Sequence, residues 1–387
     1  MANVLLGFPN HVESTFVDVV FFGGSWEATL PLSNLITDDL SQIARSTSAN
    51  TDHSKFYCDL GSLRNVLMIN FSSHNGSRNG GARIRGTSTI KWQGVVVNAN
   101  GSAGASSVSF KNNNVASVEI DIGDAFTIGG YTYESDSNAT LTGSGGTATI
   151  NLKAAPSNPG DLFATLQANI SENDPIICNV GLFDGATEEV DFSTADFYPI
   201  VYPFGTLPWG HPALWDGRAT EEERQQLVFP FINILDLYES VRYLLVEIDD
   251  PLNEDGFIAI SKLFVTPGWQ PSMNMKYGAT FQYTSETTYE QTISGIKKYD
   301  VKEPRRVDGF TIDHLELNEA VAQGIDMQRY LGTNKQLFYV KNPDAEELLH
   351  RISYTATMRT LGPMTDSYFN RAAIQIDIEE VLGGKLT

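Results

Sequence analysis

Cysteine is scarce in this chain. Its 387 residues include only Cys58 and Cys178. Two thiolates cannot form a four-cysteine zinc or iron–sulfur site, and they are too few for a secreted fold held together by disulfides. The sequence therefore predicts no bound cofactor and synthesis in a reducing cytosol.

Long hydrophobic runs are absent as well. No segment approaches the roughly 20 apolar residues that a membrane-spanning helix needs. The first residues, MANVLLGFPNHVEST, lack the basic segment and the long apolar segment of a secretory signal. We therefore expect a soluble protein that has no membrane span and is not exported by the usual route.

Basic side chains are few. The chain has 26 Lys and Arg against 47 Asp and Glu, which leaves a net charge of −21. A protein this acidic repels the phosphates of nucleic acid, so binding to DNA or RNA through a basic face is disfavoured as a function.

The features that are present are typical of an all-β protein. At about 150 residues per domain, the length corresponds to two or three domains. Short apolar runs end in Gly, Asn, Ser and Pro clusters, as in sandwiches and barrels. Residues 374–379 are apolar at every second position, which predicts a half-buried strand. Residues 241–248 are nearly all apolar, which predicts a central strand, with 257–265 as its neighbour.

A change in composition near Thr87 divides the chain. From there to about residue 172 it is rich in Gly, Ser, Thr, Asn and Ala, which predicts a small inserted β domain. Residues 139–141 and 147–152 flank a glycine-rich turn as a predicted hairpin. The predicted units are a discontinuous jelly-roll β-sandwich (1–87 and 173–275), the inserted β domain (88–172) and a C-terminal β-rich domain (276–387).

Three short helices are predicted from their first turns and their spacing. Thr220 and Glu223 form a capping box that opens a helix to about Leu227. The segment 344–347 has the same form before Leu348. Apolar residues at helical spacing predict a third helix over 315–331, interrupted by Gly324.

Spaced segments in two parts of the chain resemble the discoidin-like jelly roll of bacteriophage tail proteins. The resemblance covers about residues 20–86 and 173–275. It is carried by 26–35, 43–46, 56–61, 64–66, 74–75 and 82–85, and later by 207–209, 214–217, 242–244, 249–256, 258–264 and 268–271.

Segments outside the jelly roll resemble other parts of phage tail proteins. Residues 124–133 and the glycine-rich turn after them are similar to a small β module of these proteins. Residues 335–340, 342–344 and 368–380 resemble the closing strands of distal tail proteins. The order departs from that family, which usually places the ring-forming domain first.

The resemblance implies a structural role at the distal end of a phage tail. Such a distal or minor tail protein forms a ring that links the tail tube to the baseplate or tail tip. It implies a homo-oligomer, sixfold rather than threefold, with the tail tube protein and the hub or tip proteins as partners. It also implies a virion protein that is made in the bacterial cytoplasm and is not an enzyme. The ring-forming region is then 276–387.

No catalytic residue is predicted. His74 and Asn75 lie near Arg78 and Arg83, but no orienting carboxylate or nucleophile accompanies them, which favours a structural turn. His211, between a glycine and a proline, is interpreted as a loop contact. The chain has no Gly-x-Ser-x-Gly elbow and no phosphate-binding glycine loop.

An acidic loop is the best candidate for a metal site. Asp249, Asp250, Asn253 and Asp255 offer the oxygen ligands that Ca²⁺ prefers, although the EF-hand pattern is not met. The alternative, which we favour, is a solvated turn capped by its own Asn and Asp side chains.

Three tryptophans have two interpretations. Trp209, Trp215 and Trp269 either fill the interior of the jelly roll, which we favour, or stack on a sugar at its loop end. The second interpretation supports an alternative function, a carbohydrate-binding adhesin that recognises a host-surface glycan. A glycosidase is a more remote alternative, because acidic pairs on distant strands need no sequence motif.

Overall fold

The computed structural model describes residues 3–13, 19–88, 92, 95–113, 117–122, 124–128, 131–154, 163–174, 176–178, 189–226, 228–293, 295–345 and 347–383. The chain is mainly β, because 46% of it is strand and 9% is helix. Its described strand pairs are all antiparallel.

The strands, in chain order, are β1 (Leu5–Gly7), β2 (Val20–Phe22), β3 (Ala44–Arg45), β4 (Phe56–Phe71), β5 (Gly81–Thr87), β6 (Val95–Val97), β7 (Ser107–Asn112), β8 (Val118–Ile120), β9 (Ala125–Ile128), β10 (Tyr131–Glu134), β11 (Ala139–Leu141), β12 (Thr147–Asn151), β13 (Ile177–Cys178), β14 (Glu189–Asp196), β15 (Phe231–Asp249), β16 (Ala259–Ile260), β17 (Leu263–Thr266), β18 (Thr280–Thr284), β19 (Thr288–Gln291), β20 (Lys297–Asp300), β21 (Arg305–Glu316), β22 (Gln336–Val340), β23 (Ser353–Tyr368) and β24 (Arg371–Glu380). The helices are α1 (Thr51–Ser54), α2 (Glu221–Gln226), α3 (Leu317–Glu319), α4 (Asp326–Leu331) and α5 (Leu349–Ile352), with a 3₁₀ helix at Leu32–Ile36 and a π-helical segment at Ala320–Ile325.

The first unit is built on a sheet in the order β14-β5-β15-β4-β17, with β2 also paired to β4. Its core joins the inward side chains of this sheet to the 3₁₀ helix and to the small β3–β16 sheet. The central strand predicted at 241–248 is confirmed as part of β15. The prediction that 257–265 lies beside it is wrong, because β4 and β5 occupy both edges of β15 and β17 pairs with β4 instead.

The inserted unit has its own core, which runs from Trp92 to Ile176. Its sheets are β10-β9-β13, β11-β8 and β12-β7-β6. The predicted hairpin of 139–141 with 147–152 is wrong, since β11 pairs with β8 and β12 pairs with β7. Because β13 pairs with β9, the unit extends past the predicted boundary at residue 172.

The ends of the inserted unit connect to neighbouring strands of the first unit. Thr87, the last residue of β5, is the register partner of Glu189, the first residue of β14. Register partners in an antiparallel pair lie about 5 Å apart. The long insertion therefore leaves and re-enters the first sheet at one place.

The C-terminal unit is a six-stranded sheet in the order β1-β22-β23-β24-β21-β18. The half-buried strand predicted at 374–379 is confirmed within β24, where Ile374, Ile376 and Ile378 are fully buried. The predicted division put residues 1–87 in the jelly roll. Strand β1 instead pairs with β22, and Leu6 packs in the C-terminal core.

The helices follow the capping signals in part. The capping box is confirmed, because the Thr220 backbone N–H donates to Glu223 Oε2 at 2.9 Å and the Glu223 N–H donates to Thr220 Oγ1 at 3.3 Å. The helix predicted to open at 344–347 begins only at Leu349, as α5, and Glu346 lies outside the described residues. The helix predicted at 315–331 corresponds to α3, the π-helical segment and α4 in succession. Together they span residues 317–331, because β21 continues to Glu316.

Candidate functional site

A β-ribbon projects from the edge of the C-terminal sheet. It consists of residues 285–304 and contains β19 paired with β20. The ribbon is flanked by Thr284, the last residue of β18, and Arg305, the first residue of β21. These two residues are register partners of each other. Every residue of β18, β19 and β20 is exposed, on both faces of each strand.

The ribbon and its base carry apolar side chains that a monomer leaves in water. Ile293 is 111% exposed and Tyr277 is 104% exposed, relative to the side chain in a reference peptide. Other members of this exposed set are Phe281, Tyr283, Tyr289, Ile296, Tyr299 and Val301. Several exposed apolar side chains on one projecting element make it a candidate interaction surface.

The turn between β23 and β24 forms a second exposed apolar feature of the same unit. Phe369 at the turn is fully exposed, and Tyr368 beside it is more than half exposed. Asn370 has φ +55°, the left-handed conformation that a tight hairpin turn requires. His314 lies against Tyr368, with 5.1 Å between the ring centroids.

The tryptophans fall into two environments. Trp269 is buried in the C-terminal core, where its ring packs edge-on against Phe8, so it cannot face a glycan. Trp209 and Trp215 are 86% and 78% exposed, so they do not fill the interior. Their ring centroids are 5.8 Å apart in an edge-to-face arrangement.

The loop that carries Trp209 and Trp215 is held by its own backbone. We call residues 199–219 the aromatic loop. Val201 and Tyr202 donate backbone hydrogen bonds of 2.7 and 2.8 Å to the carbonyl of Gly217. Gly217 has φ +64°, and a Cβ atom there would overlap the carbonyl oxygen of Tyr202. Glycine is therefore required where the loop closes.

The predicted calcium ligands accept hydrogen bonds from different protein donors. Asp250 is buried and accepts from the Ser77 backbone N–H at 2.6 Å, from the Ser77 hydroxyl and from Asn253 Nδ2 at 3.0 Å. Asp249 accepts from a threonine and Asp255 from an asparagine. Within the described ranges, no group of three or more His, Cys, Asp or Glu side chains could hold a metal ion.

The turn that carries His74 and Asn75, which we call the histidine turn, is packed against the core of the first unit. His74 is buried and stacks on Phe197, with 4.4 Å between the ring centroids. Burial, together with the positive charges of His350 and Arg224, lowers the pKa of His74 to about 3. Its Nδ1 accepts the Gly76 backbone N–H at 3.2 Å. A neutral imidazole held in this way fits the structural turn that the sequence favours.

The other candidates near the histidine turn do not join it. Arg83 pairs with Asp191 at 2.6 Å on the exposed face of β5 and β14. His211 caps its own loop, because its Nδ1 accepts the Ala213 backbone N–H at 3.1 Å.

The sequence patterns described above do not predict the ribbon. Each of its strands carries one tyrosine, Tyr289 or Tyr299, among polar and charged residues, and the two are register partners on one face of the hairpin. That pattern is typical of a half-buried hairpin, so the exposure of both faces could not be predicted from the sequence.

No protein-family model matches the chain, and no curated protein or solved structure matches it significantly. Among the helices that the structure describes, none is long and apolar enough to cross a membrane.

Proposed function

We propose that this chain is a structural subunit of a bacteriophage tail, a distal or minor tail protein. Identical copies form a ring that connects the tail tube to the baseplate or tail tip, and the role is assembly rather than catalysis. The first unit is a discoidin-like jelly roll that faces outward together with the inserted unit. The observation that carries the proposal is the exposed apolar ribbon of the C-terminal unit.

The ribbon supports assembly because its exposure is costly for a free monomer. Exposed strand edges and apolar strand faces template contact with other chains, and native proteins usually blunt or cover them. In a closed ring every subunit contacts its neighbour in the same way, so the surface is covered on all of them. The second exposed feature, Phe369 at the β23–β24 turn, lies in the same unit.

The charge also fits a ring through which DNA passes. An acidic wall repels the DNA phosphates and so does not retain the molecule during passage. The chain carries −21 overall, which is compatible with such a wall.

Two excisions at matched positions test the proposal. In one variant, an Asn-Gly turn replaces the ribbon between Thr284 and Arg305. In the other, the same turn replaces the insertion between Thr87 and Glu189. Both pairs of flanking residues are register partners, so each excision joins neighbouring strands.

We expect the variant without the insertion to assemble and the variant without the ribbon to remain monomeric, as measured by light scattering and negative-stain images. Loss of assembly on removal of the insertion, with assembly retained on removal of the ribbon, would contradict the proposal. Circular dichroism on both variants checks that the strand content of the remaining units is kept.

A further inference from the structure

Two buried imidazoles lie where α5 of the C-terminal unit packs on the first unit. His350 belongs to α5, and His74 belongs to the histidine turn of the first unit. The two are close enough that the charge of one acts on the other. His350 Nδ1 also lies 2.7 Å from the carbonyl oxygen of Pro230, just before β15. A pair of titratable groups is therefore enclosed in the contact between two units.

The hydrogen bonds of the pair fix each ring in its neutral form. A carbonyl oxygen only accepts, so His350 Nδ1 donates to Pro230 and Nε2 carries the lone pair. A backbone N–H only donates, so His74 Nδ1 accepts from Gly76 and Nε2 carries the proton. His74 Nε2 is buried and has no hydrogen-bond partner among the residues that the structure describes. A second proton on His74 would point at the Gly76 N–H, so the docked geometry disfavours the charged ring.

The surrounding charges also oppose protonation. The charged side chains on the elements around the pair are Arg351 of α5, Arg224, Glu221 and Glu223 of α2, Asp250 of the acidic loop near Tyr198, and Arg306 with Glu380 beside the α5 backbone. Each of these carboxylates already pairs with an arginine or accepts from a serine. A positive charge on either imidazole would therefore stand beside Arg224 and Arg351 without a carboxylate reserved for it.

The docked contact consequently binds protons less well than the separated one. Burial is the main cause that lowers the pKa of His74 to about 3 and that of His350 to about 4, from 6.5 in water. Docking is favoured above pH 6.5 and weakens as the pH falls from there toward 4, because the undocked form takes up the proton first. For His350 this difference corresponds to about a 300-fold change in the docking equilibrium.

Release of α5 would be a local change. Of its four residues only His350 is buried. The apolar contact between the two units lies elsewhere, where Leu67 and Met68 of β4 pack with Phe338 of β22. This contact contains no titratable side chain and holds the units together when α5 leaves.

We propose that α5 and the histidine turn form an acid-sensitive joint, in which α5 is docked at neutral pH and is released when His350 and His74 are protonated. The cores of both units stay folded. Release also separates Arg351 from Glu223 and Tyr202, so the aromatic loop loses its connection to the C-terminal unit. The joint does not depend on ring formation.

The test is amide hydrogen exchange of the full chain, followed by mass spectrometry between about pH 7 and 4.5 and corrected for the intrinsic effect of pH. We expect the protection of α5 amides to fall about tenfold per pH unit below 6.5, while that of β24 is kept. His350→Asn retains an N–H that can donate to Pro230 but does not titrate, so its α5 should stay protected. His314→Asn removes an exposed histidine of the same unit and should follow the wild type.

Three results would overturn the joint. They are α5 protection that does not change with pH, an equal loss of protection in β24, and a pH dependence of His350→Asn as steep as that of the wild type. Should His350→Asn leave α5 unprotected at pH 7, His74→Asn replaces it, because its Oδ1 can accept the Gly76 N–H without titrating. That variant should show a shallower pH dependence than the wild type, and an equal one would also refute the joint. Light scattering on the same samples measures assembly separately.

Discussion

Arg351 of α5 donates a hydrogen bond of 2.5 Å to the carboxylate of Glu223 in α2, and so connects the C-terminal unit to the first unit. The same oxygen accepts the hydroxyl of Tyr202, which anchors the aromatic loop. Burial alone would raise the pKa of Glu223, but hydrogen bonds from Tyr202, the Thr220 backbone and Arg351 outweigh it and lower the pKa to about 2. One carboxylate therefore joins two units and a loop.

Replacing this carboxylate should change how stability depends on pH. A lowered pKa contributes stability above the unfolded value of 4.5, and this contribution is lost as the pH falls toward about 2. Glu223→Gln should lower the free energy of unfolding by about 1–2 kcal/mol at pH 7 and flatten its decline between these pH values. Urea unfolding across this range measures it.

The neighbouring Glu222→Gln is the matched control. Glu222 is exposed on the same helix, and we expect its variant to keep the wild-type free energy of unfolding at pH 7 within about 0.5 kcal/mol. Equal losses of stability in the two variants would contradict the role of Glu223.

The two tryptophan environments predict opposite stability effects. Trp269→Ala removes a buried ring from the C-terminal core and should cost about 3–5 kcal/mol. Trp215→Ala changes an exposed side chain and should stay within about 0.5 kcal/mol of the wild type. Chemical unfolding curves measure both, and similar losses for the two variants would refute the assignment.

The closure of the aromatic loop depends on Gly217. Gly217→Ala combines a positive φ with overlap on the Tyr202 carbonyl and should cost about 2–3 kcal/mol. Gly205→Ala, in the same loop, has a positive φ but open space around the new methyl group, so it should cost about 1 kcal/mol. Melting temperatures of the two variants test the difference, and equal losses would show that the overlap is relieved elsewhere.

Point substitutions on the ribbon should separate assembly from folding. Ile293→Ser/Ile296→Ser changes two exposed side chains, so we expect an unchanged melting temperature for the isolated subunit but loss of the oligomer. Ile122→Ser, at an exposed position of the inserted unit, is the control and should assemble normally. Sedimentation velocity measures both, and a full oligomer from the ribbon variant would argue against this surface.

Two of the local patterns predicted local structure correctly. The alternation at 374–379 and the capping box of Thr220 and Glu223 depend on neighbours in the chain, and both are confirmed. Strand partners were not predictable, because pairing is decided between distant segments. Leu5 pairs with Val340, and no property of the three-residue strand β1 names that partner.

The candidate sites show the same limit. A sequence does not tell which tryptophan is buried, so the same interior position was predicted for Trp269 and for Trp215. The contact of Arg78 with Asp216 of the aromatic loop connects residues far apart in the chain. The ribbon is exposed because it follows β18, the edge strand of the C-terminal sheet, and this position depends on how distant strands pair.

The mass of the purified full-length chain in solution tests the central claim most directly. Multi-angle light scattering should give a single species at a whole-number multiple of 42.5 kDa, and negative-stain images should show closed rings with a central hole. Sixfold rings are the expected form. A strict monomer at high protein concentration, with no annular particles, would contradict the account.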